Sequence, residues 1–214
     1  MTATINNMKE QLLDLIVNRS LEVADEPIFK LAFGGYSKIY IDCKKTTCNA
    51  NGKLIIGNLI YDKIKNIGVA AIGGLTLGAD PIASAVSYTS ALKGNPINTF
   101  IVRKMAKDHG LKKVIEGDVK KGDKVVIIDD VVTTGSSTVE AIQRAKEFGL
   151  IVVKVYVLVD RQEGGKENIL KEGVEYEALI ELQEMLDAHS KKFNSERSLS
   201  RQSNRHSEVL HSSL

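Results

Sequence analysis

Asp129 and Asp130 stand three residues ahead of the string T-T-G-S-S at Thr133–Ser137. Carboxylates only accept hydrogen bonds when ionised, which suits the hydroxyls of a polyol such as ribose. A turn of hydroxyls around Gly135, followed by the first N–H groups of a helix, suits a phosphate. Gly135 lets the backbone bend and approach a ligand closely. Asp at a strand end can simply stabilise a turn, but that does not account for two acids followed by the whole hydroxyl string. The stretch reads as a phosphate cradle with two carboxylates at its mouth. A second group is cationic: Arg103, Lys104, Lys107 and His109 open a segment, 103–124, that holds eight Lys/Arg against four Asp/Glu. A charge run is commonly a solvated loop, but this one follows directly on an apolar run. Arg161, after another apolar run, adds a planar fork suited to a carboxylate. A Walker loop is excluded, since Gly73 and Gly78 are followed by Ala79-Asp80 where Lys and Ser/Thr are required. Gly73–Gly78 does not supply the dinucleotide fingerprint either.

These residues must be positioned by strands and helices. Val125–Asp129 is short and β-branched, a buried parallel strand, and Val139–Phe148 is its helix, stopped by Gly149. Further strands are expected at Val69–Ile72, stopping at Gly73-Gly74, at Asn98–Val102 and at Ile151–Asp160. Helical faces recur over Ile5–Val17, Leu54–Ile67 and Ala79–Leu92. Phe29–Asp42 carries Gly34-Gly35 as a turn between two β-like runs. Ile169–Lys192 reads as helical with one break at Gly173. Strands alternating with helices predict an α/β fold with a mostly parallel sheet flanked by helices. In such sheets ligands bind beyond the carboxyl ends of the strands. Gly73-Gly74, Arg103-Lys104, Asp129-Asp130 and Asp160-Arg161 are therefore expected to converge on one cleft.

The 214 residues suit one domain over 1–190, followed by a Ser/Arg-rich flexible tail over 191–214. A net charge of +2 argues against nucleic acid as the main partner. No span is apolar enough for a bilayer and no signal peptide is visible, so neither membrane nor export is expected. Cys43 and Cys48 are expected as free thiols in a reducing cytoplasm.

I-I-D-D-V-V-T-T-G-S-S resembles the 5-phosphoribosyl 1-diphosphate (PRPP) signature of the type I phosphoribosyltransferases. Within them, R-K-M-A-K-D-H-G at 103–110 resembles the mobile catalytic loop of the orotate phosphoribosyltransferases. V-D-R-Q-E-G-G at 159–165 resembles their orotate-contacting segment, and G-G-L-T-L-G-A-D-P-I-A at 73–83 their diphosphate loop. The resemblance covers roughly residues 1–190. It implies the type I fold with a small N-terminal hood element, and pentosyl transfer from PRPP to orotate in pyrimidine synthesis. It implies PRPP contacts from Arg103, Lys104, Lys107, His109, Asp129, Asp130, Val131, Val132, Thr133, Thr134, Gly135, Ser136 and Ser137. Of these, Lys104, Lys107 and His109 would be catalytic, while Thr133 and Arg161 would meet orotate. Mg²⁺ would arrive bound to PRPP, and loop 103–110 would close over the neighbouring subunit of a homodimer. The chain departs from the family pattern twice. Thr76-Leu77 replaces a Tyr-Lys pair, and Ala32 replaces a lysine, so backbone amides around Thr76–Ala79 are expected to serve instead. Transfer to another base, or an RNA-binding regulator that keeps the fold, are the alternative readings.

Overall fold

The computed structural model describes residues 2–30, 34–104 and 114–194, with side chains from residue 6 onward. Helix α1 (Thr2–Arg19) leads into four short strands: β1 (Leu21–Val23), β2 (Phe29–Lys30), β3 (Tyr36–Ser37) and β4 (Ile39–Ile41). They form two antiparallel pairs, β1 with β4 and β2 with β3, and make the small N-terminal element that the resemblance implied. Helices α2 (Lys44–Thr47) and α3 (Ala50–Ile64) follow. Asn49 starts α3 by accepting from the N–H groups of Asn51 and Gly52, a side-chain cap for orphan donors.

The rest alternates: β5 (Ala71–Leu75), α4 (Ala79–Leu92), β6 (Asn98–Val102), β7 (Ile115–Gly117), β8 (Lys124–Val132), α5 (Ser136–Phe148), β9 (Ile151–Asp160), α6 (Gly165–Leu170) and β10 (Glu175–Glu181). A last helix, α7, runs over 182–194. The six-stranded sheet has the order β10-β9-β8-β5-β6-β7, with only β7 antiparallel to its neighbour. Successive β8 residues serve opposite faces. Val126 and Ile128 pack with α1, α3 and α4, whereas Val125 and Ile127 pack with Ala141, Ile142 and Ala145 of α5. All four are fully buried, each contributing roughly 1.5–3 kcal/mol of apolar burial. Both faces being covered explains the unbroken apolar run. Among the described residues no helix is long and apolar enough to cross a membrane.

Three expectations are corrected. β5 does not stop at Gly73-Gly74 but runs through them. A Cβ at Gly73 would lie 1.9 Å from the Phe100 carbonyl oxygen, and one at Gly74 2.2 Å from that of Ile128. The glycines are there because neighbouring backbones approach, not because the strand ends. β8 continues past Asp129 to Val132, because β9 keeps pairing with it through Asp160. Ile169–Lys192 is not a broken helix. It holds the end of α6, the edge strand β10 in parallel register with β9, and most of α7. β10 was hidden because its glutamates mimic a solvated helix face, whereas Glu177 pairs with Lys154 at 2.8 Å and also with Lys63. Residues 191–194 belong to α7; the remainder of the expected tail lies outside the described residues.

Candidate active site

The carboxyl ends of β5, β6 and β8 open on a cavity of about 480 Å³. It is lined by Asp129, Asp130, Val131 and Ser137 from the β8–α5 segment, by Leu75–Gly78, by Lys104 and by Lys44. The convergence expected from the strand ends is therefore present for three of the four.

Asp129 is held from three sides. Its carboxylate accepts from Thr138 Oγ1 at 2.7 Å, Ser137 Oγ at 3.1 Å and the N–H of Asp130 at 3.0 Å. Burial pushes its pKa up to about 6, with Thr138 opposing that shift and the Asp130 charge adding to it. The folded state thus holds this proton more tightly than the unfolded chain. Stability contributed by the protonated form is lost as pH rises from about 4 to about 6. Asp129→Asn removes that penalty. It is expected to raise the melting temperature at pH 8 by several degrees, from about 3 kcal/mol, and to leave it unchanged near pH 4. Thermal melts at the two pH values check this, and equal gains at both would refute the burial argument.

Asp130 is better exposed, and its carboxylate accepts from the N–H of Val131 at 2.9 Å. Val132, buried, accepts at its carbonyl from the N–H of Arg161 at 2.9 Å, which ties the β9 end to the cradle. The turn Thr133–Gly135 rests on α6. Asn168 donates to the Thr134 carbonyl at 3.0 Å, and Thr134 and Ser136 hydroxyls lie 3.4 Å apart. A Cβ at Gly165 would stand 2.7 Å from the Thr133 carbonyl oxygen and 3.1 Å from the Gly135 nitrogen. The cradle and the 159–165 segment are thus packed backbone to backbone. Ser136 begins α5, whose N-terminal amides face this turn.

The loop between β5 and α4 meets one acid of its own helix and one of β8. The Thr76 hydroxyl donates to Asp80 at 2.6 Å, the peptide between Thr76 and Leu77 is cis, and Gly78 backs directly onto Asp130.

Arg103 and Lys104 follow β6. The Arg103 guanidinium lies 3.7 Å from Glu116 of β7, and the Arg103 N–H donates to the Val114 carbonyl at 2.9 Å. Arg144 of α5 donates to the carbonyls of Arg103 and Lys104, so the start of the basic loop is fastened to the helix that follows the cradle. Lys107 and His109 lie outside the described residues. Arg161 does not line the cavity. Its Nε pairs with Glu163 at 2.9 Å. Asp160 secures this turn by accepting from the Gln162 N–H at 2.7 Å and the Tyr176 hydroxyl at 2.7 Å. Both cysteines are free thiols, with Cys43 buried and Cys48 exposed.

Sequence reasoning missed Lys44, which approaches Asp42 at 3.4 Å and Asp130 at 3.9 Å. It also missed Thr138 and Gly78 as supports of the acid pair. Lys44 had no local signal, because it lies on a different element from the motif. Thr138 was one residue beyond the hydroxyl string and could have been included with it.

A family profile described as the phosphoribosyl transferase domain matches residues 48–181. The orotate phosphoribosyltransferase of Aquifex aeolicus is 48% identical over 178 residues, covering 83% of this chain and 97% of its own. Among solved structures, orotate phosphoribosyltransferase of Mycobacterium tuberculosis H37Rv in complex with Fe(III) dicitrate matches with a TM-score of 0.73 at 32% identity, covering 83% of this chain and 98% of that one. The same enzyme in complex with PRPP matches with a TM-score of 0.67 at 29% identity, covering 84% and 92%.

Proposed function

We propose, because the chain belongs to the phosphoribosyl transferase domain family and within it to the orotate phosphoribosyltransferases, that its cleft transfers the 5-phosphoribosyl group of PRPP to orotate. The products are orotidine 5′-monophosphate and diphosphate, a pentosyl transfer consistent with pyrimidine biosynthesis. The observation that carries the reading is one cavity lined by the acid pair, by Ser137 at the start of α5 and by two lysines.

In this reading the ribose hydroxyls donate to Asp129 and Asp130. The 5′-phosphate sits on the amides and hydroxyls of Thr133–Ser137, with Val131 and Val132 carrying the backbone between them. As the C1–O bond breaks, its electron pair leaves with the diphosphate and positive charge grows on the ribose. Lys104, with Arg103, Lys107 and His109, stabilises the departing charge. Loop 103–110 closes to exclude water from the cationic ribose. The orotate nitrogen then bonds to C1 and its N–H bond breaks, the proton passing to solvent, with the base held by Arg161 on its carboxylate and by Thr133 alongside. No covalent nucleophile from the protein takes part.

Among the described residues no group of three or more His, Cys, Asp or Glu could hold a metal. The donor set, two carboxylates beside lysines, fits an Mg²⁺ that keeps substrate oxygens as its main ligands rather than a protein cage. When bound, Mg²⁺ would screen the diphosphate charge as a Lewis acid.

We also assign residues 1–190 to a single domain with the remainder appended, a cytoplasmic location suited to free thiols, and a homodimer in which each loop serves the neighbouring cleft. The exposed Leu54, Tyr88 and Leu92 of α3 and α4 are apolar surface available to a second subunit.

The direct test is the loss of orotate absorbance with PRPP and Mg²⁺; folded protein that leaves the band unchanged would sink the reading. Arg161→Ala is expected to raise the KM for orotate by about 30- to 100-fold, from loss of a charge-assisted pair. The KM for PRPP should stay within about threefold. An unchanged orotate KM would move base recognition elsewhere.

A further inference from the structure

The cavity must accept a polyanion while two carboxylates face it. Among its described lining residues only Lys44 and Lys104 are cationic, and Leu75–Gly78 bring no charge. The Lys44 backbone is well fixed. Cys43 before it is buried, Thr46 and Thr47 after it are buried, and Thr46 shares a 2.8 Å hydrogen bond with Ser20 at the end of α1. Its side chain is not fixed in the same way. It is 55% exposed and bridges loosely between Asp42 and Asp130. Partial burial works against its protonation, but Asp130 and Asp42 outweigh that and raise its pKa, so it remains an ammonium across the neutral range. An exposed pair of this kind adds little to stability, so the fold does not require the lysine there.

The geometry points to Lys44 as a substrate-contacting cation that binds the diphosphate of PRPP and stabilises it as it departs, parked on Asp130 until substrate arrives. The inference rests on the phosphoribosyl-transfer reading above. When the ribose hydroxyls engage Asp130, the ammonium is displaced from its carboxylate towards the phosphate oxygens. It keeps its proton throughout; the electron pair of the C1–O bond goes to the diphosphate, and the new C1–N bond forms on the base.

The adjacent Lys45 gives an internal control, since it points away to Glu22 at 2.8 Å. Binding of inorganic diphosphate with Mg²⁺ is measured by calorimetry, alongside steady-state kinetics. Lys44→Met is expected to weaken diphosphate binding and raise the KM for PRPP, each by about 10- to 100-fold, with the orotate KM within about threefold. Lys44→Arg should recover most of the loss, and Lys45→Met should match the parent. Lys44→Gln replaces Lys44→Met if the latter melts early. Parent-like diphosphate binding in a folded Lys44 variant overturns the proposal, as does a loss confined to orotate. A parent protein that binds diphosphate but makes no nucleotide overturns the transferase reading, and leaves the Lys44 contact standing.

Discussion

Lys107→Ala lowers kcat by about 10²- to 10³-fold at saturating substrates, the range for removing one donor to developing negative charge. Its melting temperature stays within about 1 °C of the parent. Lys107 lies outside the described residues, but the flanks of its loop do not. Arg103 and Val114 are joined across the base of the loop, Arg144 grips the Arg103 and Lys104 carbonyls, and Lys104 already faces the cavity. The segment therefore departs from the sheet at the rim of the cavity. If Lys107 acts only on the leaving group, turnover and stability separate cleanly. Single-turnover kinetics with a parallel thermal melt provide the measurement. A variant with undiminished turnover would remove the loop from the chemistry.

Gly78→Val is expected to lower kcat/KM for PRPP by about 100-fold or more, the scale of loss for an ångström of misplacement in a site. At φ −59° and ψ −43° the Gly78 backbone is open to any residue, so the requirement is one of space. A Cβ there would stand 2.5 Å from Asp130 Oδ1, 2.9 Å from its Cγ and 3.2 Å from Asp129 Oδ1. Neither acid yields easily, since both carboxylates are tied to backbone N–H groups and Asp129 also to two hydroxyls. The valine must displace either the acids or the Thr76–Gly78 loop, and both line the cavity. Gly78→Ala should move in the same direction by about tenfold. PRPP kinetics on the folded variants decide, and parent-like values for the valine would show that the acids are free to move.

Much of this arrangement was readable from the chain. Asn98–Val102, Ala79–Leu92 and Ile151–Asp160 fall where the sequence pattern puts them, because each has one dominant period and a clear turn at its end. Failures arose where tertiary contacts override a local signal. Gly73-Gly74 looked like punctuation, but the glycines are needed inside β5 by the carbonyls of two neighbouring strands. Glu175 and Glu177 looked solvated, and lysines from other elements pair with them. β7 passed unnoticed because three residues carry too little pattern. For the site, the contiguous motif announced the acid pair and Ser137, which line the cavity. Lys44 and Gly78 could not be found that way, since their importance lies in distances to Asp130 across separate elements.

The short bridge between Arg103 and Val114 also sets a leash length. With the two ends held together at 2.9 Å, a connection of this length reaches no farther than about 17 Å from the sheet edge, about five residues at full stretch. Any cleft that this loop serves, its own or a neighbour's, must fall inside that radius. In a homodimer built on loop exchange, the two-fold axis is thereby confined to the vicinity of the β6–β7 edge, and a subunit arrangement that leaves the clefts far from it would make each protomer rely on its own loop.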